Sequence, residues 1–352
     1  MTKIKINNFL VGQGCKPFII AEVGINHNGE LKKAFEMIEI AKKTGLNAIK
    51  FQTFKSSEFI ADTNQTYTYK SQGKEITESM HDMFQRCEFS NEEWTQIKRK
   101  CDQEQILFLS TPQNYSDLEL LLNLDIEAIK IGSDDLTHLP LLKQFSSSNL
   151  PIILSTGMST IDEISDALDA VGFFSGYPTI LLVTTSQYPT PPQNVNLMKF
   201  HTLSRKFPNL PLGFSDHTVG PLASSLACVL GATVFEKHFT LDRNLPGPDH
   251  WFSADPQELK IWRDSIITSF EMLGDPIIKP TKEEEKMKIL ARRSISALKD
   301  IEIGEIFTYE NLGIRRPGNG LKPIEIEKII GTKAIKIIIK GHIIQKDDYS
   351  DG

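Results

Sequence analysis

From residue 18 to about residue 273 the chain repeats one pattern. A short apolar run, β-branched in most cases, gives way to polar or small residues and then to a segment of helical period. The runs fall at 18–21, 48–51, 106–109, 128–131, 152–154, 180–183, 212–214 and 234–235. Continuous apolar runs of this length fit parallel strands covered on both faces. Segments 31–44, 91–103, 161–171 and 256–273 carry the amphipathic spacing of helices. Ser90 ahead of Asn91-Glu92-Glu93, and Thr160 ahead of Asp162-Glu163, read as N-caps with acidic first turns. Eight strand–helix units in about 255 residues predict an α/β protein built as a (β/α)8 TIM barrel. A doubly wound open sheet has fewer strands, and no GxGxxG follows the first run. A polar stretch, 53–89, with aromatic Tyr67, Tyr69 and Phe84, is a long insertion after the second strand. Loops of that length are functional or flexible.

The texture changes after Leu273. Gly274-Asp275-Pro276 and Lys279-Pro280-Thr281 break the pattern, and 282–288 is a charge run that reads as a solvated linker or helix. The expected organisation is a barrel domain at 1–278, a linker at 279–290 and a small domain at 291–352. The small domain holds an internal echo: Ile301-x-x-Gly304-x-Ile306 resembles Ile338-x-x-Gly341-x-Ile343. Some sixty residues make a marginal domain alone, so support from the barrel or from a second subunit is expected.

Composition narrows the function. The 352 residues are 40% hydrophobic and 24% charged, with 39 basic against 45 acidic side chains and a formal net charge of −6. An acidic chain of pI near 5.8 is a poor nucleic-acid binder. Cys15, Cys87, Cys101 and Cys228 show no CxxC spacing and read as free thiols of a reducing compartment. The N-terminus lacks the apolar run of a signal peptide, and no stretch reaches the ~20 apolar residues of a membrane span. A soluble, cytoplasmic protein is expected.

In a (β/α)8 barrel the chemistry sits where strands end. Here those ends offer Glu22; Lys50 and Gln52; Ser110-Thr111; Lys130 and Ser133; Ser155-Thr156; Thr184-Thr185-Ser186 and Tyr188; Ser215-Asp216-His217; and Glu236-Lys237-His238. A structural barrel does not require polar groups at all eight. Two lysines among hydroxyls suit a phosphate-bearing anion. Histidines on adjacent strand ends, His217 and His238, suit a divalent metal completed by water and substrate. A strand-end glutamate, Glu22, suits acid/base work. Asp216 and Lys237 alternate with these residues, so they point into the barrel–helix layer or pair with each other. His81, His201 and His342 read as ordinary surface or core histidines. A Schiff base on Lys50 or Lys130, as in a metal-independent aldolase, is the rival chemistry.

The strand ends carry recognisable motifs. They include Glu22-Val23-Gly24-Ile25-Asn26-His27-Asn28-Gly29, Lys50-Phe51-Gln52-Thr53, Lys130-Ile131-Gly132-Ser133, Ser155-Thr156-Gly157-Met158 and Tyr188-Pro189-Thr190-Pro191. Further along come Ser215-Asp216-His217-Thr218, Glu236-Lys237-His238-Phe239-Thr240, Pro246-Gly247-Pro248-Asp249-His250 and Arg315-Arg316-Pro317-Gly318-Asn319-Gly320. In this order they resemble the sialic acid synthase family over nearly the whole chain, the last one resembling its C-terminal antifreeze-like SAF domain. The resemblance implies an enzyme that condenses phosphoenolpyruvate with an N-acyl mannosamine to a nine-carbon 2-keto acid and phosphate. N-acetylmannosamine, giving N-acetylneuraminate, is the implied acceptor. A 2,4-diacetamido-2,4,6-trideoxymannose, giving N,N'-diacetyllegionaminate, is the alternative. A non-enzymatic antifreeze-type binding role is disfavoured, because ice binding would not need the barrel-rim residues.

The resemblance also assigns roles. His217 and His238 are the implied ligands of Mn²⁺, with Mg²⁺ or Co²⁺ as alternatives. Thr111, Lys130, Ser133, Ser155 and Ser215 are the implied phosphoenolpyruvate anchors. Glu22, Lys50 and Asp249 are the implied catalytic set, and Gln52, Tyr188, Asp135 and Arg316 the implied sugar contacts. A homodimer with domain exchange is implied, in which Arg316 reaches the active site of the other subunit. Two stretches differ from the family pattern. Gly132-Ser133-Asp134-Asp135 stands for Gly-Ser-Gly-Glu, so Asp135 keeps the charge one methylene shorter. Val183-Thr184-Thr185 stands for His-Cys-Thr.

Overall fold

A computed structural model describes residues 2–350 of the chain. The outer limits of the two expected domains, residues 1 and 351–352, lie outside the described residues. The chain divides into two compact units, Met1–Gly274 and Asp275–Gly352.

The first unit is a barrel of parallel strands: β1 (Phe18–Gly24), β2 (Ala48–Thr53), β3 (Leu107–Pro112), β4 (Ile129–Ile131), β5 (Ile152–Ser155), β6 (Thr179–Val183), β7 (Leu212–Asp216) and β8 (Val234–His238). The ladder runs β3-β2-β1-β8-β7-β6-β5-β4. Its end strands β3 and β4 lie against each other, which nearly closes the barrel.

Strand alternation explains both the core and the site. A strand points successive side chains to opposite faces. Ile19, Ala21, Val23, Ile49, Phe51, Phe108, Leu154, Val183 and Phe214 point outward and pack under the helices. Phe18, Ile20, Ala48, Leu109, Ala128, Ile153, Ile180, Leu182 and Val234 point inward and fill the lower barrel. A short N-terminal hairpin, Ile4–Ile6 with Phe9–Val11, plugs this lower layer with Ile4, Ile6 and Val11. Moving one pleat further along each strand, the inward positions become Glu22, Lys50, Thr111, Lys130, Ser155, Thr184, Ser215 and Glu236. The barrel interior therefore changes from apolar to polar within one residue pair per strand.

Helices α1 (Leu31–Thr44), α2 (Asn91–Glu104), α3 (Tyr115–Leu122), α4 (Leu139–Ser146), α5 (Ile161–Ala170), α6 (Lys199–Lys206), α7 (Leu222–Val229) and α8 (Pro256–Leu273) accompany the strands. Ser90 and Thr160 form capping boxes with Glu93 and Glu163, as their spacing predicts. The 53–89 insertion folds into a short helix Ser56–Phe59, an antiparallel hairpin Thr66–Ser71 with Lys74–Ser79, and a helix Met80–Gln85. Among the described residues no helix is long and apolar enough to cross a membrane.

The second unit has its own core of Ile295, Ile301, Phe307, Ile329, Ile338 and Ile344, among others. The internal echo is a structural pair. Ile301 and Ile338 bridge antiparallel, each donating its N–H to the other's carbonyl at 2.8 and 3.0 Å. Gly304 and Gly341 turn the chain at matching places with φ of 81° and 89°, a region that glycine enters without strain. The segment expected as a linker is helical over Lys282–Ala291, capped by Thr281 and Glu284, with no buried residue.

Candidate active site

The upper barrel opens into a cavity of about 940 Å³. Its floor is a buried cluster of alternating charge. Lys50 Nζ lies 2.6 Å from Glu22 Oε2 and 3.6 Å from Glu236 Oε2, and donates to Thr111 Oγ1 at 3.2 Å. Lys130 Nζ lies 3.9 Å from Glu236 Oε1 and donates to Ser155 Oγ at 2.8 Å and to the Ile131 carbonyl at 3.0 Å. Ser215 Oγ donates to Glu236 Oε1 at 2.9 Å. All six of Glu22, Lys50, Thr111, Lys130, Ser155 and Glu236 are buried.

The environment separates the two carboxyls. Burial lifts Glu22 to about 7, aided by Glu236 and opposed by Lys50. Burial pushes on Glu236 too, but Lys130 and Lys50 outweigh it and hold that carboxyl near 2. Glu236 is therefore held as an anion, while the Glu22 carboxyl can gain or lose a proton near neutrality. Burial opposes the charge of Lys50, yet Glu22 and Glu236 together hold its pKa above the ordinary range. A lysine kept protonated this way is a poor nucleophile. Burial lowers Lys130, with Glu236 opposing.

Above the cluster, His217 and His238 stand on β7 and β8 with ring centres 5.5 Å apart. His217 Nδ1 lies 2.8 Å from the Thr185 carbonyl, which can accept a hydrogen bond only if Nδ1 carries the proton, and so leaves the lone pair on Nε2. His238 Nδ1 is buried with no hydrogen-bond partner among the described residues. Burial lowers both imidazoles, His217 to about 4 and His238 well below its ordinary value, so both are neutral at neutral pH. The Tyr188 ring lies over His217 at 4.2 Å and meets His238 edge-on at 5.6 Å. The described residues hold no group of three or more His, Cys, Asp or Glu side chains arranged around one metal position. Two neutral imidazoles, one with an orphaned buried nitrogen, fit a divalent cation whose other positions go to substrate and water.

The remaining expected residues divide. Gln52 Nε2 donates to Glu22 Oε1 at 3.4 Å, and Asp249 lines the cavity with its carboxyl raised to about 7 by burial. Gly24, in the left-handed region at φ 55°, presents its open α-carbon to Glu22, Asp249 and His238, all within 3.5–3.7 Å of where a Cβ would sit. Ser133 Oγ accepts the Gly157 N–H at 2.9 Å. A Cβ on Gly157 would come within 2.1 Å of Ser186 Oγ and 2.7 Å of Ser133 Oγ, so only glycine lets these hydroxyls converge. Asp134 is among the residues lining the cavity, and its neighbour Asp135 is not. Asp135 is half-buried, its Oδ2 has no hydrogen-bond partner among the described residues, and burial with the Asp134 charge lifts it to about 7. Arg316 belongs to the second unit, where it follows the strand Leu312–Arg315 and is exposed.

Asp216 and Lys237 point outward and pair at 3.3 Å. Asp216 also accepts from Ser224 Oγ at 2.6 Å and Trp262 Nε1 at 3.1 Å, which ties β7 to α7 and α8. The same alternation puts Glu236 on the inner face beside His238. Sequence reasoning placed Glu236 at a strand end but gave it no role, although its period-2 relation to His238 was a readable signal. Ser186 was passed over in the same way.

The comparisons with known proteins agree with this fold. Residues 37–278 match the NeuB family model, and residues 292–350 match the SAF domain model. The N,N'-diacetyllegionaminic acid synthase of Legionella pneumophila is 38% identical over 92% of this chain and 91% of its own length. That of Campylobacter jejuni is 39% identical over 94% and 99%. The crystal structure of an N-acetylneuraminic acid synthetase from Leptospira borgpetersenii superposes with a TM-score of 0.73 at 32% identity, covering 81% of this chain and 95% of that one. The chain belongs to the NeuB family.

Proposed function

We propose that this cavity condenses phosphoenolpyruvate with the aldehyde of an open-chain N-acyl mannosamine and water, giving a nine-carbon 2-keto acid and phosphate. The observation that carries the reading is the buried Glu22–Lys50–Glu236–Lys130 cluster, ringed by hydroxyls and overlain by two neutral imidazoles. Lys130, Ser155, Ser215, Thr111 and Ser133 suit the anionic groups of phosphoenolpyruvate, by charge and by directional hydrogen bonds. Glu22, Lys50, Gln52, Tyr188 and Asp249 face the acceptor. His217 and His238 would hold a divalent metal, Mn²⁺ in the first place, whose chemistry there is Lewis-acid polarisation of a carbonyl oxygen. C3 of phosphoenolpyruvate bonds to the aldehyde carbon, water adds at the C2 cation, and C2–O cleavage expels phosphate. Glu22 carries the proton between the adding water and the new hydroxyl. Lys50, Lys130 and Glu236 hold the reactants in line and offset the developing charge.

N-acetylmannosamine, giving N-acetylneuraminate, is one acceptor reading. The diacetamido-trideoxy sugar is the other, supported by the similarity to the two legionaminic acid synthases. In a domain-exchanged homodimer, Arg316 of a second subunit would meet the N-acyl group. Arg316→Ala should then raise the acceptor KM while the barrel stays folded; unchanged kinetics would remove it from the site.

The deciding experiment measures phosphate release from phosphoenolpyruvate with each sugar and identifies the product by mass spectrometry. EDTA should abolish release and Mn²⁺ restore it. Activity that survives chelation but is trapped by borohydride would establish a Schiff-base aldolase instead.

A further inference from the structure

A second cavity, of about 660 Å³, opens outside the barrel, between the ends of β5 and β6 and helices α5 and α6. It shares a wall with the first: Met158, Thr184, Ser186 and Gln187 line both. Beyond that wall, one side of it is apolar, with Ile161, Ile164 and Leu203. The other side carries Ser159, Thr185, Lys199 and Thr202. None of these residues lines the first cavity.

Lys199 differs from the cations of the first cavity. There Lys50 and Lys130 are held by Glu22 and Glu236, and Lys70, on the insertion hairpin, sits over the Trp251 ring at 5.3 Å. Lys199, the first residue of α6, is half-buried and has no carboxylate partner among the described residues. The acids that open α5 are engaged elsewhere: Glu163 caps Thr160, and Asp162 pairs with Lys206 at 3.7 Å. The Lys199 ammonium donates only to neutral oxygens, the Thr184 carbonyl at 3.4 Å and Thr185 Oγ1 at 3.3 Å. Burial lowers its pKa, and no neighbouring charge offsets this. A cation drawn partly out of water without a counter-charge carries a cost that an anionic ligand removes. The hydroxyls of Ser186 and Thr202 have no hydrogen-bond partner among the described residues, so each is free to donate to such a ligand. Lys199 also touches the segment that orients His217, since the Thr185 carbonyl is the group 2.8 Å from His217 Nδ1.

We propose that this second cavity binds a phosphate group, with Lys199 as the charge and Thr202 and Ser186 as the hydroxyl donors, at a site separate from the phosphoenolpyruvate anchors. A lysine acts on phosphate as a point charge, and hydroxyls add the direction that it lacks. The group can arrive as free phosphate or as a phosphate ester. The ester's body would lie against Ile161, Ile164 and Leu203.

Calorimetric titration of the full chain tests this without turnover, so its result stands apart from the condensation. Inorganic phosphate and phenyl phosphate are titrated separately, each with phosphoenolpyruvate at saturation to fill the floor of the first cavity. Both should still bind. Lys199→Met keeps the stem and removes the charge, and should weaken both probes about tenfold or more, the loss of a hydrogen bond to a charged group. Thr202→Trp starts from an exposed position, leaves the ammonium in place and fills the cavity; it should exclude phenyl phosphate, and it keeps the test open if Lys199→Met fails to fold. Phenyl phosphate binding about tenfold tighter than phosphate, from burial of its ring, assigns the site to an ester. Equal affinity assigns it to free phosphate. Binding that phosphoenolpyruvate displaces, binding that neither variant weakens, or no binding at all overturns the proposal.

Discussion

The strand ends and the insertion wall face the same cavity but are built by different rules. On the strands each functional side chain is one pleat above a buried apolar residue, so Ile20 positions Glu22, Ala48 positions Lys50 and Val234 positions Glu236. The ladder register adds the lateral order: His238 pairs with Glu22, Glu22 with Lys50, and Ser215 with Glu236. The insertion has no such lattice. Its residues are placed by distant fasteners such as Gln72 to Asn244, and by aromatic packing. The strand ends are thus set by rigid, short-range geometry, and the insertion by contacts that can change without disturbing them.

The largest test of this division is Glu22→Gln. It keeps the shape of the side chain but cannot carry a proton, so phosphate release should fall about 10²- to 10⁴-fold with the fold intact by circular dichroism. A rate close to the parent's would take proton transfer away from the strand ends.

Gly157→Ala tests whether strand-end geometry is as tight as the distances imply. The new methyl would displace Ser133 and Ser186, both flexible ends, so the chain should fold. Losing one well-aimed hydrogen bond to an anion costs about 1.5 kcal/mol, which is roughly a tenfold rise in the KM for phosphoenolpyruvate. The acceptor KM should move less, and the reverse order would place the two serines on the sugar side.

Lys70→Ala probes the insertion wall. An exposed cation–π contact contributes about 0.5–1 kcal/mol, roughly two- to fivefold. The acceptor KM should rise by that factor while the KM for phosphoenolpyruvate stays put. A change in the latter alone would show that the hairpin serves the anion.

The same contrast explains what could be read from the chain before its structure. The barrel was legible because parallel strands buried on both faces leave continuous apolar runs, and because Ser90 and Thr160 mark helix starts. The outward pairing of Asp216 with Lys237 followed from alternation alone. Glu236 follows by the same step, two residues before His238 on the inner face of β8. Short leucine-rich helices such as α3 and α4 have no polar face long enough to show a period. The insertion's hairpin was illegible for a deeper reason: its strands are mostly exposed, so burial imposed no alternation on them. The role of Asp135 is implied by resemblance alone, because strand alternation does not reach past β4, and its neighbour Asp134 lines the cavity.

Asp135 provides the smallest effect and a clean sign. Burial, with the nearby Asp134 charge, raises its folded pKa to about 7, whereas an unfolded aspartate titrates near 3.9. Below the unfolded value both states are protonated and the group does not favour either. Between the two values the folded state binds the proton more tightly, so the stability contributed by Asp135 is lost as pH rises through about 7. Asp135→Asn removes this dependence. Relative to the parent, its melting temperature should climb from pH 4 to pH 7 and then level off. A difference that stays constant with pH would mean that Asp135 titrates as an ordinary surface carboxylate, with its orphaned oxygen solvated in solution.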